Sequence, residues 1–210
     1  MNDFFVNTLP LKTKELISLL QDKNPDWLHD FYLTGGTALS LFLGHRESED
    51  LDWFTENNFD PIKLQAKIEV FGKLEGTEIS EGTLNTSLTG IKLQFLEYPY
   101  PLLEPIIDWQ NINLSSLIDI ACTKLQTIGM RGSKKDFIDI YFLLKHFSFE
   151  ELFKELDKKY SKTNYNLPHI LKSLVYFDNA ENQPMPRMHQ DVSWGKIKEE
   201  IIKKIKSFKF

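Results

Sequence analysis

Apolar positions change their rhythm halfway along this 210-residue chain. Leu16, Leu19 and Leu20 predict a short opening helix, and the run Phe31-Tyr32-Leu33 predicts a buried strand ending at Gly35-Gly36. Thr37 to Leu43 suits a buried helix stopped at Gly44, and Leu51-Asp52-Trp53-Phe54 is a second strand. Asp60-Pro61 starts a helix, with a capping side chain before a proline at the first helical position. Leu64, Ile68 and Phe71 continue it to Gly72. From Lys73 to Tyr98 the pattern becomes strand-like, Ile91, Leu93 and Phe95 alternating with Lys92, Gln94 and Leu96.

Beyond that point helical spacing dominates. Ile118, Ala121, Cys122 and Leu125 mark one helix, and Phe137, Ile140, Tyr141 and Leu144 the next. Ser148-Phe149-Glu150-Glu151 reads as a capping box for a third. Trp194, Ile197, Ile201, Ile205 and Phe208 line one face of a terminal helix. A β-rich front and a helical back predict an α+β fold: a mixed-sheet core over 1–104 and a helical portion over 105–210.

Composition is that of an ordinary globular protein, 41% hydrophobic and 26% charged. The single cysteine excludes an intramolecular disulfide. No apolar run approaches the roughly 20 residues of a membrane helix, and the start Met1-Asn2-Asp3-Phe4-Phe5 lacks a signal-peptide pattern, so the expected setting is cytoplasmic, with no membrane partner. A net charge of −5 makes the whole molecule no obvious nucleic-acid binder, but Pro186 to Phe210 carries seven Lys/Arg against three Asp/Glu. That stretch is either a phosphate-attracting patch or a solvated helix face. The five histidines show no zinc-site spacing, and neither a P-loop nor a Gly-x-Ser-x-Gly turn is present.

The informative stretch is Gly35-Gly36-Thr37-Ala38-Leu39, followed by Arg46-Glu47-Ser48-Glu49-Asp50-Leu51-Asp52. Strand alternation puts Asp50 and Asp52 on one side, roughly 7 Å apart, with Leu51 and Trp53 turned into the core. Two carboxylates so placed offer oxygen ligands to hard cations, and a metal pair about 3.5–4 Å apart would clamp an in-line phosphoryl transfer. The glycine pair, where a strand hands over to a helix, lets backbone approach an anion at a positive helix end. The Thr37 hydroxyl is an added donor there, and Arg46 and Ser48 support the same anion.

These residues, with Gly44-His45 before them and Trp53-Phe54 after, resemble the first motif of the AbiEii/AbiGii toxin nucleotidyltransferases. Lys124, Arg131 and Lys135-Asp136-Phe137-Ile138-Asp139 are similar to that family's helical Lys…Arg…Asp-x-x-Asp segment, and Ser173 to Asp178 and Pro184 to Trp194 to a bacterial branch of it. The resemblance spans roughly residues 30 to 205 and implies a polymerase-β-like nucleotidyltransferase core. Carried over, it gives Gly35 and Gly36 the triphosphate, Asp50 and Asp52 the Mg²⁺ or Mn²⁺, and Lys124 the neutralisation of phosphate charge. Asp136 or Asp139 would orient that lysine. Asp136 also fits a helix cap at Ser133-Lys134-Lys135-Asp136, which makes Asp139 the better active-site candidate. The implied reaction transfers NMP from an NTP to a hydroxyl of RNA, a tRNA 3′ end being one such acceptor, in a bacterial toxin–antitoxin or abortive-infection system with a separate antitoxin.

One departure stands out. This fold commonly carries a third carboxylate on a later strand, where this chain offers Gln94. Either Glu97 substitutes, or two aspartates suffice, or catalysis is impaired. Two rival readings follow: an impaired relative that binds nucleotide or a partner, and a module that binds nucleic acid through its basic tail.

Overall fold

The computed structural model describes residues 4–163 and 165–208; Met1 to Asp3 and Lys209 of the basic tail lie outside them. The chain forms two compact units, one closing at Ser116 and the other opening at Leu117.

The first unit is built on a seven-stranded mixed sheet. Its elements are α1 (Leu11–Lys23), β1 (Tyr32–Thr34), α2 (Gly35–Leu43), β2 (Leu51–Thr55), α3 (Pro61–Ile68), β3 (Leu74–Ser80), β4 (Thr83–Leu88), β5 (Ile91–Glu97), β6 (Ile107–Trp109) and β7 (Ile112–Leu114). The strand order is β3-β4-β5-β2-β1-β7-β6. β2 runs antiparallel to β1 and parallel to β5, which brings the two sequence-predicted strands around Asp52 to the middle of the sheet.

Local chemistry explains the boundaries. Gly44 ends α2 at φ 59°, a left-handed position that glycine takes without strain. Asp60 accepts from the Ile62 and Lys63 amides, and Pro61 follows at the first helical position. Alternation then sorts the sheet's faces. Leu51, Trp53, Leu84, Leu93 and Phe95 are buried, and the Trp53 and Phe95 rings stack at 6.2 Å between centroids.

The hairpin β6–β7 lies inside the span 105–210 that the apolar spacing predicts to be a mainly helical portion. Its two-residue loop, Gln110-Asn111, has φ 50° and 69°, the mirror-image turn whose twist suits paired strands. The usual Asn-Gly or Asp-Gly signal is missing, and each strand is only three residues long.

The second unit is helical: α4 (Leu117–Met130), α5 (Lys134–Leu143), α6 (Phe149–Lys159), α7 (Leu167–Ser173), α8 (Asp178–Glu181) and α9 (Trp194–Ser207). Reciprocal capping boxes open α5 at Ser133 and α6 at Ser148. Arg131 lies one residue past the end of α4. Cys122 is a core thiol that burial pushes up to about 12.

Among these helices Lys159 on α6 donates to Asp119 on α4 at 2.6 Å, with both side chains almost fully buried. Removing one charge of such a pair strands the other in a low-dielectric interior. Lys159→Met is therefore expected to destabilise the protein by about 3–5 kcal/mol in denaturant unfolding. A loss below about 1 kcal/mol would mean that the pair is dispensable.

Candidate active site

Two clusters hold the sequence-predicted residues, one in each unit. In the sheet unit, register sets the first. Thr34, the last residue of β1, pairs with Asp52 on β2, and Asp52 pairs on its other side with Gln94 on β5. Gly35 follows Thr34 directly and opens α2. At φ 68° it occupies glycine's territory, and a Cβ there would collide with the Asp52 carboxylate. The metal-type carboxylate and the first turn of α2 thus lie in contact.

That helix end carries no side-chain cap among the described residues. The hydroxyl of its N-cap residue, Thr34, accepts from Ser115 Oγ at 2.8 Å. The amides of the first turn and the helix dipole are the ordinary elements of a phosphate site.

Behind the turn, the loop from Gly44 to Asp50 is braced against α2. Thr37 Oγ1 donates to the Asp50 carbonyl at 2.5 Å and lies 3.0 Å from Ser48 Oγ. Thr37 is fully buried, so its hydroxyl fixes the loop rather than serving as the added phosphate donor of the sequence reading. Arg46 is buried too, donating from Nη1 to the Glu47 carbonyl at 3.0 Å. A Cβ on Gly36 would come within 2.7 Å of Arg46 Nη2 and 3.2 Å of Ser48 Oγ. Asp50 sits one residue before β2. Both it and Asp52 are half-buried.

These donors fit a hard cation. Mg²⁺ keeps several waters and is held by one or two carboxylates together with substrate phosphates, so two aspartates beside an uncapped helix N-terminus suffice in kind. Among the described residues no group of three or more His, Cys, Asp or Glu side chains surrounds a metal position. Glu97 cannot make a third ligand beside Asp52. It pairs in register with Thr55, three residues beyond the Gln94 pairing, about 10 Å along the strand and on the other face. Gln94 itself donates from Nε2 to Asn85 Oδ1 at 3.0 Å.

In the helical unit, Lys124 on α4 is clamped by both acids of the second motif. Its ammonium lies 2.6 Å from Asp139 and 3.1 Å from Asp136, and both carboxylates are fully buried. Asp136 does more than cap α5. It accepts from Ser133 Oγ at 2.6 Å and from Arg131 Nε at 3.0 Å as well as from Lys124. Burial pushes its carboxyl up, but the Lys124 charge and the Arg131 and Ser133 hydrogen bonds outweigh that and hold it below its usual range. The division expected from sequence, with Asp136 as cap and Asp139 as lysine partner, gives way to two acids sharing one lysine. The spacing Asp-x-x-Asp contains this signal, since residues three apart share a helix face.

Two lysines of the basic tail are engaged within their own unit. Lys198 pairs with Glu181 at 2.9 Å, and Lys204 donates to the Leu144 carbonyl at 2.7 Å. Trp194 donates to Glu181 at 3.1 Å.

Comparison with known proteins adds to this geometry. Residues 18–207 match the family described as nucleotidyl transferase AbiEii toxin, type IV TA system. An uncharacterised protein of Aquifex aeolicus (strain VF5) is 40% identical over 190 residues, covering 86% of this chain and 88% of that protein. Among solved structures, a Helicobacter pylori protein described as a nucleotidyltransferase superposes with a TM-score of 0.56 at 16% identity, covering 94% of each chain. MenT4, a nucleotidyltransferase toxin of Mycobacterium tuberculosis H37Rv, gives 0.54 at 15% identity, covering 95% of this chain and 87% of that one. At such identities the likeness is one of fold.

The Asp136 cluster makes a pH prediction. Its folded carboxyl titrates below the unfolded one, so the stability it contributes is complete above the unfolded value, near pH 4, and is lost as pH falls through the lowered folded value. Asp136→Asn is expected to cost about 3 kcal/mol at neutral pH, more than a cap alone, and to flatten the loss of stability on acidification below about pH 4. Denaturant unfolding across that range measures both. An unchanged acid slope would remove Asp136 from the account.

Proposed function

This chain belongs to the AbiEii nucleotidyl transferase toxin family and is a nucleotidyltransferase, and we propose that it transfers NMP from a metal-bound NTP to a hydroxyl at an RNA 3′ end. The observation that carries this reading is the contact between the Asp52 carboxylate and Gly35 at the uncapped N-terminus of α2. It joins a cation ligand to an anion cradle, the pairing that a metal–triphosphate substrate needs.

In this reading Asp50 and Asp52 hold Mg²⁺ or Mn²⁺, which when bound neutralises charge on the reacting phosphate and aligns the attacking oxygen. The first turn of α2 takes the triphosphate through the backbone at Gly35 and Gly36. Arg46, Ser48 and Thr37 keep that turn and the Asp50 loop in register, acting on the nucleotide through position rather than by direct contact. The acceptor oxygen bonds to the α-phosphorus, the bond to the β-phosphate oxygen breaks, and pyrophosphate leaves while the hydroxyl proton passes to solvent. We assign the neutralisation of phosphate charge to Lys124, held in place by Asp136 and Asp139.

An RNA acceptor, with tRNA among the candidates, is supported by the distribution of charge. Up to Ser116 the chain has eight Lys/Arg against eighteen Asp/Glu; from Leu117 onward it has seventeen against twelve. A net −10 on the sheet unit and +5 on the helical unit suit a protein whose helical half attracts a polyanion. The proposed setting is the cytoplasm, where the protein acts as a toxin held in check by a separate antitoxin. Among the described residues no helix is long and apolar enough to cross a membrane.

Incubation with total RNA, Mg²⁺ and each labelled NTP in turn tests the reaction; label is expected to enter RNA from at least one NTP. Asp50→Asn and Asp52→Asn should each lower the rate about 10²-fold or more without unfolding the chain, since charge is lost at nearly constant volume. Near-normal transfer by both variants would sink the mechanism. An absence of transfer with intact NTP binding would favour an impaired, nucleotide-binding relative, the reading that Gln94 supports.

The cradle has its own test. Gly36→Val puts carbon where Arg46 and Ser48 now pack, displacing the turn that faces the phosphates. Calorimetric titration should show NTP affinity falling by about tenfold or more. Unchanged affinity would reduce the glycine pair to an ordinary turn.

A further inference from the structure

The carboxylate Asp52 belongs to a polar row that crosses five strands. Register aligns Thr34 on β1, Asp52 on β2, Gln94 on β5, Asn85 on β4 and Glu78 on β3. Paired positions share a face, so all five belong to the side of the sheet opposite the Trp53–Phe95 stack. Asp52, Gln94 and Asn85 are half-buried, and Glu78 is exposed at the sheet edge.

Sidedness gives the row a direction. The glycine turn that takes the triphosphate lies on the β1 side of Asp52. In-line displacement requires the attacking oxygen to approach from the side opposite the leaving pyrophosphate. The β5 side of Asp52, where Gln94 and Asn85 stand one and two strands away, is therefore the side of the acceptor.

The chemistry of the pair then narrows what it holds. Two carboxamides joined by one hydrogen bond have used one donor and one acceptor between them. Whichever way round the amides sit, that bond leaves one N–H₂ and one C=O of the pair unused. They carry no net charge, so they are weaker partners for a phosphate than a lysine and for a cation than a carboxylate. A hydroxyl, which donates and accepts at once, matches them.

We infer that Gln94 and Asn85 form an acceptor subsite that binds the 2′-hydroxyl of the terminal ribose, placing the neighbouring 3′-hydroxyl beside Asp52 and selecting RNA ends over DNA ends. The inference rests on the transferase reading for its direction, while its test does not depend on turnover. Gln94 and Asn85 act here as positioning residues. As a cross-strand pair they also steady β4 against β5, a role that would show no preference for one sugar over another.

The test is binding of a short 5′-labelled RNA by fluorescence anisotropy, without NTP, against the same oligonucleotide carrying a 2′-deoxy terminal residue. The natural protein should bind the ribose end about 3- to 10-fold more tightly, the range of one neutral hydrogen-bonded hydroxyl. Gln94→Leu and Asn85→Leu should each bring the ratio close to one, with NTP affinity changed less than about twofold. Equal affinity of the natural protein for the two ends would overturn the subsite without recourse to any variant. So would a preference that survives both substitutions in folded protein. Selective binding of ribose ends by a chain that transfers no nucleotide would retire the transferase reading and keep the subsite. Transfer by a chain indifferent to the terminal sugar would do the reverse.

Discussion

Everything proposed for the sheet unit depends on one steric fact: the Asp52 carboxylate occupies the space that any side chain at position 35 would need. The Thr34–Asp52 register pair brings the two backbones together, and Gly35, at a positive φ, turns the chain into α2 with nothing projecting toward the acid. A larger residue would have to displace either the carboxylate or the helix start. The same contact explains why the proposed anion cradle and the proposed cation ligand are neighbours. They are the two sides of one strand-to-helix turn, so their spacing follows from sheet geometry rather than from flexible loops.

Bracing in the following loop has the same purpose. Between Gly44 and Asp50 there is no regular structure apart from an isolated bridge at Arg46. Thr37, Ser48 and the Arg46 guanidinium fill the gap beneath the first turn of α2 with hydrogen bonds and a buried cation. A buried arginine is costly unless it is well coordinated, so the loop around it cannot drift without losing those bonds. Asp50 inherits that rigidity through its own carbonyl.

How much of this was legible in the chain differs from residue to residue. The Gly-Gly turn, the strand carrying Asp52 and the helix starts at Asp60, Ser133 and Ser148 are local signals, each decided within four or five residues, and each stands where the pattern puts it. The hairpin around Gln110-Asn111 was hidden because its turn uses positive φ without glycine. Long-range partnerships were hidden for another reason. Nothing in a linear pattern says whether a hydroxyl such as that of Thr37 points to ligand or to loop, or that one lysine will be shared by Asp136 and Asp139. The register that opposes Gln94 to Asp52, and turns Glu97 away, appears only once β5 is known to run parallel to β2.

That register also makes physical sense of the missing carboxylate. A glutamate at position 94 would hold its charge about one strand spacing, ~4.8 Å, from Asp52. At an effective dielectric constant near 20 the repulsion is about 3 kcal/mol whenever no cation is bound, with Asp50 adding to it. An amide avoids that cost and gives up one anionic ligand in exchange. Two carboxylates suffice for a cation that arrives already coordinated by a triphosphate, because the substrate supplies the remaining oxygens. What the amide cannot do is draw a proton from the attacking hydroxyl. A site of this kind relies on orientation instead, so the groups beside Gln94 matter for where they hold the acceptor rather than for their basicity.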